Sequence, residues 1–124
     1  MRNKLLITVG ILFVIIISGF YWISPPKFIQ QFGLPEIARD LPRSFKDADV
    51  EFGKRVKSHY VIGIKETDLI SQLSGDGFKK YLNSGHWYIS RRGFPCALEW
   101  IVDWKTDENK NLVQINGHYY GTCL

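Results

Sequence analysis

The hydrophobic pattern changes character three times along this chain. From Leu5 to Ile23 no side chain is charged, and the apolar residues Leu5, Leu6, Ile7, Val9, Ile11 to Ile17 fall on every side of a helical wheel. A helix that is hydrophobic all round is a membrane span or a deep core helix, and a chain of 124 residues has little protein with which to surround it. The length suits a hydrocarbon core of roughly 30 Å. Phe20, Tyr21 and Trp22 follow, where amphipathic rings favour the headgroup zone, and Pro25 and Pro26 end any helix because neither donates a backbone N–H. The pattern predicts an N-terminal transmembrane signal anchor over residues 1–24.

The next stretch has no periodicity. Pro25, Pro26, Pro35 and Pro42 fall within residues 25–43 and permit at most one helical turn, between Glu36 and Leu41. This is the expected tether. From Ser44 a period of three and four appears: Phe45, Ala48, Phe52 and Val56 share one helical face, with Ser44 and Asp47 spaced as in a capping box. A second helix is expected from about Lys65 to Leu73, with Glu66 and Asp68 at the positive end of its dipole and Leu69, Ile70 and Leu73 as its buried stripe. Gly75-Asp76-Gly77 closes it.

Period two then takes over. Residues 86–91 form a first strand. Residues 97–106 alternate, Leu98, Trp100, Val102 and Trp104 one way and Glu99, Asp103 and Lys105 the other, with Ile101 the exception. A polar turn at 107–111 returns the chain as a strand over 112–120. The expected fold is α+β: the transmembrane helix, then, over residues 44–124, two short helices packed on a three-stranded antiparallel β-meander.

Register follows from the cysteines. Placing Cys96 opposite Cys123 sets Trp104 beside Ile115, Trp100 beside Tyr119 and Asp107 beside Leu112, so the apolar residues of both strands share one face. A slip of one residue would destroy that agreement. A Cys96–Cys123 disulfide suits an oxidising compartment and contributes roughly 3 kcal/mol by the chain-entropy estimate. The opposite, polar face then carries Glu99, Asp103, Gln114, Asn116, His118 and Tyr120, the candidate interaction surface.

Charge adds orientation. Arg2 and Lys4 precede the apolar span, and positive flanks stay cytoplasmic. The expected location is the inner membrane, single-pass, with the N-terminus cytoplasmic and the C-terminal domain periplasmic. The implied partners are membrane lipid, through the helix, and an envelope or periplasmic protein. Without Arg2 and Lys4 the net charge of +4 falls to +2, far from the clustered footprint of a nucleic-acid binder.

Catalytic patterns are weak. His59, His86 and His118 form no H-x-x-x-H or H-E-x-x-H spacing, and His118, Glu99 and Asp103 are a poor metal set without a fixed outer shell. There is no Gly-x-Ser-x-Gly turn, and a bonded cysteine pair leaves no thiol nucleophile. No enzyme activity, metal or cofactor is expected. The expected function is an envelope protein-interaction module, a scaffold or accessory; the alternative is an inhibitor or immunity protein against a periplasmic toxic or lytic enzyme.

Ile62-Gly63-Ile64 before the second helix, Trp87-Tyr88 opening the sheet, and Val102-Asp103-Trp104 with Leu112-Val113 across the polar turn resemble the small periplasmic domain of the BamE/SmpA family. The likeness covers roughly residues 55–120 and implies a role in outer-membrane assembly. That family's usual members are lipoproteins with an N-terminal cysteine, which this chain replaces with an apolar span and the Cys96/Cys123 pair. Phe94-Pro95-Cys96, Trp100, Trp104, Gly117, Tyr119 and Cys123-Leu124 also resemble a pattern in small membrane-anchored proteobacterial proteins of unassigned role.

Overall fold

The computed structural model describes residues 7, 9–16, 31–82, 85–93 and 95–124. Two compact units divide the chain, Met1–Phe32 and Gly33–Leu124. In the first, residues 9–16 are helical. Among the described residues no helix is long and apolar enough to cross a membrane. The rest of the expected span, like residues 25–30 of the expected tether, lies outside the described residues. This overturns the transmembrane helix in the expected fold and the single-pass inner-membrane placement.

The second unit is α+β. A single 3-10 turn, Glu36–Ala38, precedes helix α1 (Phe45–His59) and helix α2 (Glu66–Gly75), followed by strands β1 (Lys79–Lys80), β2 (His86–Arg92), β3 (Cys96–Thr106) and β4 (Leu112–Cys123). The sheet is antiparallel in the order β1-β2-β3-β4. Four strands replace the expected three because Lys79 and Lys80 fold back onto Tyr88 and Trp87. Two consecutive lysines have no apolar period to betray a strand.

Residues 34–38 were expected in the tether but belong to the core. Leu34, Ile37 and Ala38 are buried with the helix and sheet residues. Prolines restrict backbone shape without preventing the side chains between them from packing.

α1 begins where Ser44 accepts the Asp47 amide at 3.4 Å. It buries Ala48, Phe52 and Val56, spaced four apart. α2 buries Leu69 and Leu73 and lacks a side-chain cap. Its first turn is held from the β3–β4 hairpin instead: the Glu66 amide donates to the Lys110 carbonyl at 2.9 Å, and Trp104 Nε1 donates to Glu66 Oε1 at 2.9 Å. The helix ends as expected, with Gly77 at φ 89° and the Phe78 amide reaching back to the Leu73 carbonyl. Tyr60, fully buried just after α1, donates its hydroxyl to Asp76 Oδ2 at 2.7 Å and ties the two helix ends together. Burial and that carboxylate hold the phenol far above its ordinary pKa.

The β3–β4 register has Cys96 opposite Cys123, Trp100 opposite Tyr119 and Trp104 opposite Ile115, and the two cysteines are bonded. One pairing differs from expectation. Leu112 faces Thr106, not Asp107, because a bulge falls after Lys105 and leaves Val113 as the extra residue, half exposed. The hairpin turn causes it. Asp107 Oδ1 accepts the Asn109 and Asn111 amides, and Lys110 adopts φ 61°, the left-handed residue that closes a bulged turn. Those amides, Asn111 first, hold the Asp107 carboxyl below the usual range.

α1 lies unusually close to β4. A Cβ on Gly117 would stand 2.5 Å from Val56 Cγ2 and 3.1 Å from Phe52 Cε1, and one on Gly121 would overlap the Phe45 ring. Replacing Gly117 with alanine should therefore cost about 1–3 kcal/mol, several degrees of melting temperature, through overpacking against Val56. Gly75→Ala, which meets open space, should leave melting unchanged or raise it. Breaking the Cys96–Cys123 bond by Cys123→Ser should lower stability by about 2–4 kcal/mol in a denaturant titration.

Candidate functional site

Both helices pack on the face of the sheet that carries Trp100, Val102 and Ile115. The other face has its own rows, fixed by strand pairing. Ser90, Glu99 and Tyr120 form one row; Tyr88, Ile101 and His118 a second; His86, Asp103 and Asn116 a third. Gln114 lies beside Lys105 in a fourth. No residue in these rows is buried. All six residues of the expected interaction surface thus share the outer face.

The structure adds an aromatic patch to it. The Tyr81 ring stacks on His86 at 5.2 Å between centroids and meets Tyr88 edge-on at 5.3 Å. On the far strand His118 stacks on Tyr120 at 6.2 Å. Ile101, the residue that broke the alternation, pairs with Tyr88 on one side and His118 on the other and is half-buried. Tyr81 and Tyr120 each keep about half of their surface exposed, at 49% and 53%.

Hydrogen bonds order the polar members. Asp103 Oδ1 accepts from Asn116 Nδ2 at 3.1 Å, and Asp103 Oδ2 lies 3.4 Å from His118 Nε2. The expected neighbour of His118 on its other side, Glu99, is replaced by Asp49 of α1: Asp49 Oδ1 lies 3.8 Å from His118 Nδ1 and accepts the Tyr119 amide at 2.8 Å. The two carboxylates thus address opposite nitrogens of one imidazole, a geometry in which one cation cannot bind all three groups. Among the described residues no group of three or more histidine, cysteine, aspartate or glutamate side chains is placed to hold a metal ion.

The two sheet edges differ. Along β4, Leu112 exchanges backbone bonds with Gly63 and Ile64, the Gly117 carbonyl faces Gly53 of α1, and the Tyr119 amide is taken by Asp49. The opposite edge is the two-lysine strand β1, short and charged, both of which discourage strand addition.

Two clefts flank α1. The larger, about 910 Å³, is lined by Glu36, Arg39, Asp40, Glu51, Lys54 and Arg55 among others. Its arginines already serve the fold: Arg39 Nε donates to the Leu34 carbonyl, and Arg55 bonds both Glu51 and the Arg39 carbonyl. The smaller, about 500 Å³, runs between α1 and β4 past Asp49, Lys57 and His118. Ser58 and His59 also line the larger cleft, and Ser58 the smaller; the Ser58 hydroxyl donates to the Lys54 carbonyl and His59 pairs with Asp76.

Sequence reasoning missed Asp49, Tyr81, His86, Tyr88 and Ile101 as members or neighbours of this surface. His86 and Tyr88 alternate with Trp87 and Ile89, so fixing the β2–β3 register would have found them. Asp49 meets the Tyr119 amide across a separation of 70 residues and leaves no local signal. Comparison with family models, curated proteins and solved structures gave no match.

Asp49→Ala should remove the acceptor for the Tyr119 amide, speed hydrogen exchange at that amide, and cost about 1–2 kcal/mol. Asp49→Asn retains an acceptor oxygen and should leave the Tyr119 amide protected.

Proposed function

We propose that this protein is a binding module that engages another protein through the outer face of its sheet. One observation carries the reading: the β4 edge is covered and both helices occupy the inner face, which leaves the outer face as the broad surface without a covering element among the described residues. Exposed tyrosines on such a face supply large, rigid contact area, and rings of this kind often dominate interface energy. The disulfide and the Asp103–Asn116 bond hold the face in one shape before a partner arrives. A preformed surface loses little conformational entropy on binding.

The test is affinity capture from cell extracts prepared without reductant, comparing the native chain with a Tyr120→Ala/His118→Ala variant. The variant should melt within about 1 kcal/mol of the parent, because both side chains are half-exposed and outside the core, yet lose the proteins that the parent retains. Glu36→Gln, in the larger cleft, should capture them as the parent does. Retention by the double variant and loss by Glu36→Gln would move the site to the cleft. A captured enzyme whose activity falls on binding would make the module an inhibitor; a captured non-catalytic assembly component would make it a scaffold.

A further inference from the structure

The outer face is not chemically uniform, and its charge pattern says what kind of side chain it suits. Its carboxylates, Glu99 and Asp103, both lie on the interior strand β3. Its cations, Lys79, Arg92 and Lys105, lie toward the margins. The two carboxylates differ in availability. Asp103 already accepts from Asn116 and faces His118, whereas Glu99 is exposed and makes no hydrogen bond or ion pair among the described residues.

Around Glu99 lie two tyrosine rings and an isoleucine, with Ser90 opposite and Arg92 diagonal to it. Tyr120 stands directly opposite on β4 and Ser90 on β2, and Ile101 is two residues along the same strand, flanked by Tyr88 and His118. Residues opposite one another on a sheet face are about 5 Å apart, and neighbours two along a strand roughly 7 Å. A planar cation lying over Ile101 therefore meets ring surface on both sides while its edge reaches Glu99. The guanidinium of arginine has that shape: it stacks on aromatic faces and donates from its edge to a carboxylate, often with two parallel bonds. A compact, strongly hydrated ammonium uses the carboxylate but gains less from the rings.

We infer that the outer face takes a partner protein through an arginine side chain seated on Ile101 between Tyr88 and Tyr120, with Glu99 as its counter-ion. This rests on the reading of the outer face as the binding surface and specifies the partner's anchoring chemistry. Marginal Lys79, Arg92 and Lys105 then repel a partner segment that places further cations beyond the anchor, so the surface suits an isolated arginine rather than a polybasic run.

The experiment is a nuclear magnetic resonance titration of the full chain with N-acetyl-arginine amide, beside N-acetyl-lysine amide and N-acetyl-glutamine amide as separate probes. The arginine probe should shift the amides of Tyr88, Glu99, Ile101 and Tyr120 in a saturable way, more tightly than the lysine probe and with no counterpart for the glutamine probe. Glu99→Gln, an exposed site outside the core, should keep the parent's melting temperature and weaken the arginine probe about fivefold or more, as loss of a charge-assisted bond requires. Equal shifts with the glutamine probe, shifts confined to other surfaces, or an unchanged affinity in Glu99→Gln would overturn the inference. Protein capture separates this from the broader reading: if Glu99→Gln captures like the parent while Tyr120→Ala/His118→Ala does not, the outer face stands and the arginine anchor falls.

Discussion

Two backbones that nearly touch set the geometry of the whole unit. α1 crosses β4 where Gly53 meets the Gly117 carbonyl, with 3.0 Å left for a Cβ, and Gly117 and Gly121 leave room for Val56, Phe52 and Phe45 to lie flat on the strand. A side chain at either strand glycine would lift the helix by the thickness of a methyl group or more. Lifted, α1 would carry Asp49 away from the Tyr119 amide and open the β4 edge. Close approach therefore serves two ends: it packs the core and it seals the edge.

The consequences spread through shared residues. With α1 fixed, Tyr60 at its end reaches Asp76 at the end of α2, so the second helix is placed by the first. The β3–β4 hairpin grips the start of α2 through Trp104 and the Lys110 carbonyl. Everything that satisfies backbone and burial is thus drawn to one side of the sheet. The outer face is what remains, and it is stiffened rather than covered, by the Cys96–Cys123 bond at one end and by cross-strand contacts such as Asp103–Asn116 along its rows. That face carries exposed rings and, in Glu99, a carboxylate with no partner among the described residues. The buried Trp100 Nε1, with no partner among the described residues, is the single internal polar atom of a side chain left unsatisfied there.

Much of this was legible in the residues, and the reasons differ by element. Helix faces at Ala48, Phe52, Val56 and at Leu69, Leu73 announced themselves because burial on one side imposes a period. The β3–β4 register was legible because two independent constraints, the cysteines and the apolar alternation, had one common solution. β1 was not, since two solvent-exposed lysines obey no period. Nor was the Val113 bulge, because turn chemistry at Asp107 and Lys110 decides it within a run that alternates acceptably in either register. Leu34, Ile37 and Ala38 were hidden by the prolines around them, whose presence speaks of backbone shape and not of burial. The apolar run at the start predicted a span from composition, and among the described residues no helix is long and apolar enough to cross a membrane. On the outer face, the six expected residues were placed by register, and Tyr88 follows from the β2–β3 register, but Tyr81 and Asp49 depend on contacts that no local pattern encodes.

The central claim is that partners meet the outer face of the sheet. Hydroxyl-radical footprinting of the protein, alone and with its captured partner bound, measures this side chain by side chain. The account predicts that Tyr81, Tyr88 and Tyr120 are oxidised in the free protein and protected together in the complex, while Val50 and Val61, exposed elsewhere, react equally in both. Protection of Val50 or Val61 with unchanged oxidation of Tyr88 and Tyr120 would contradict it.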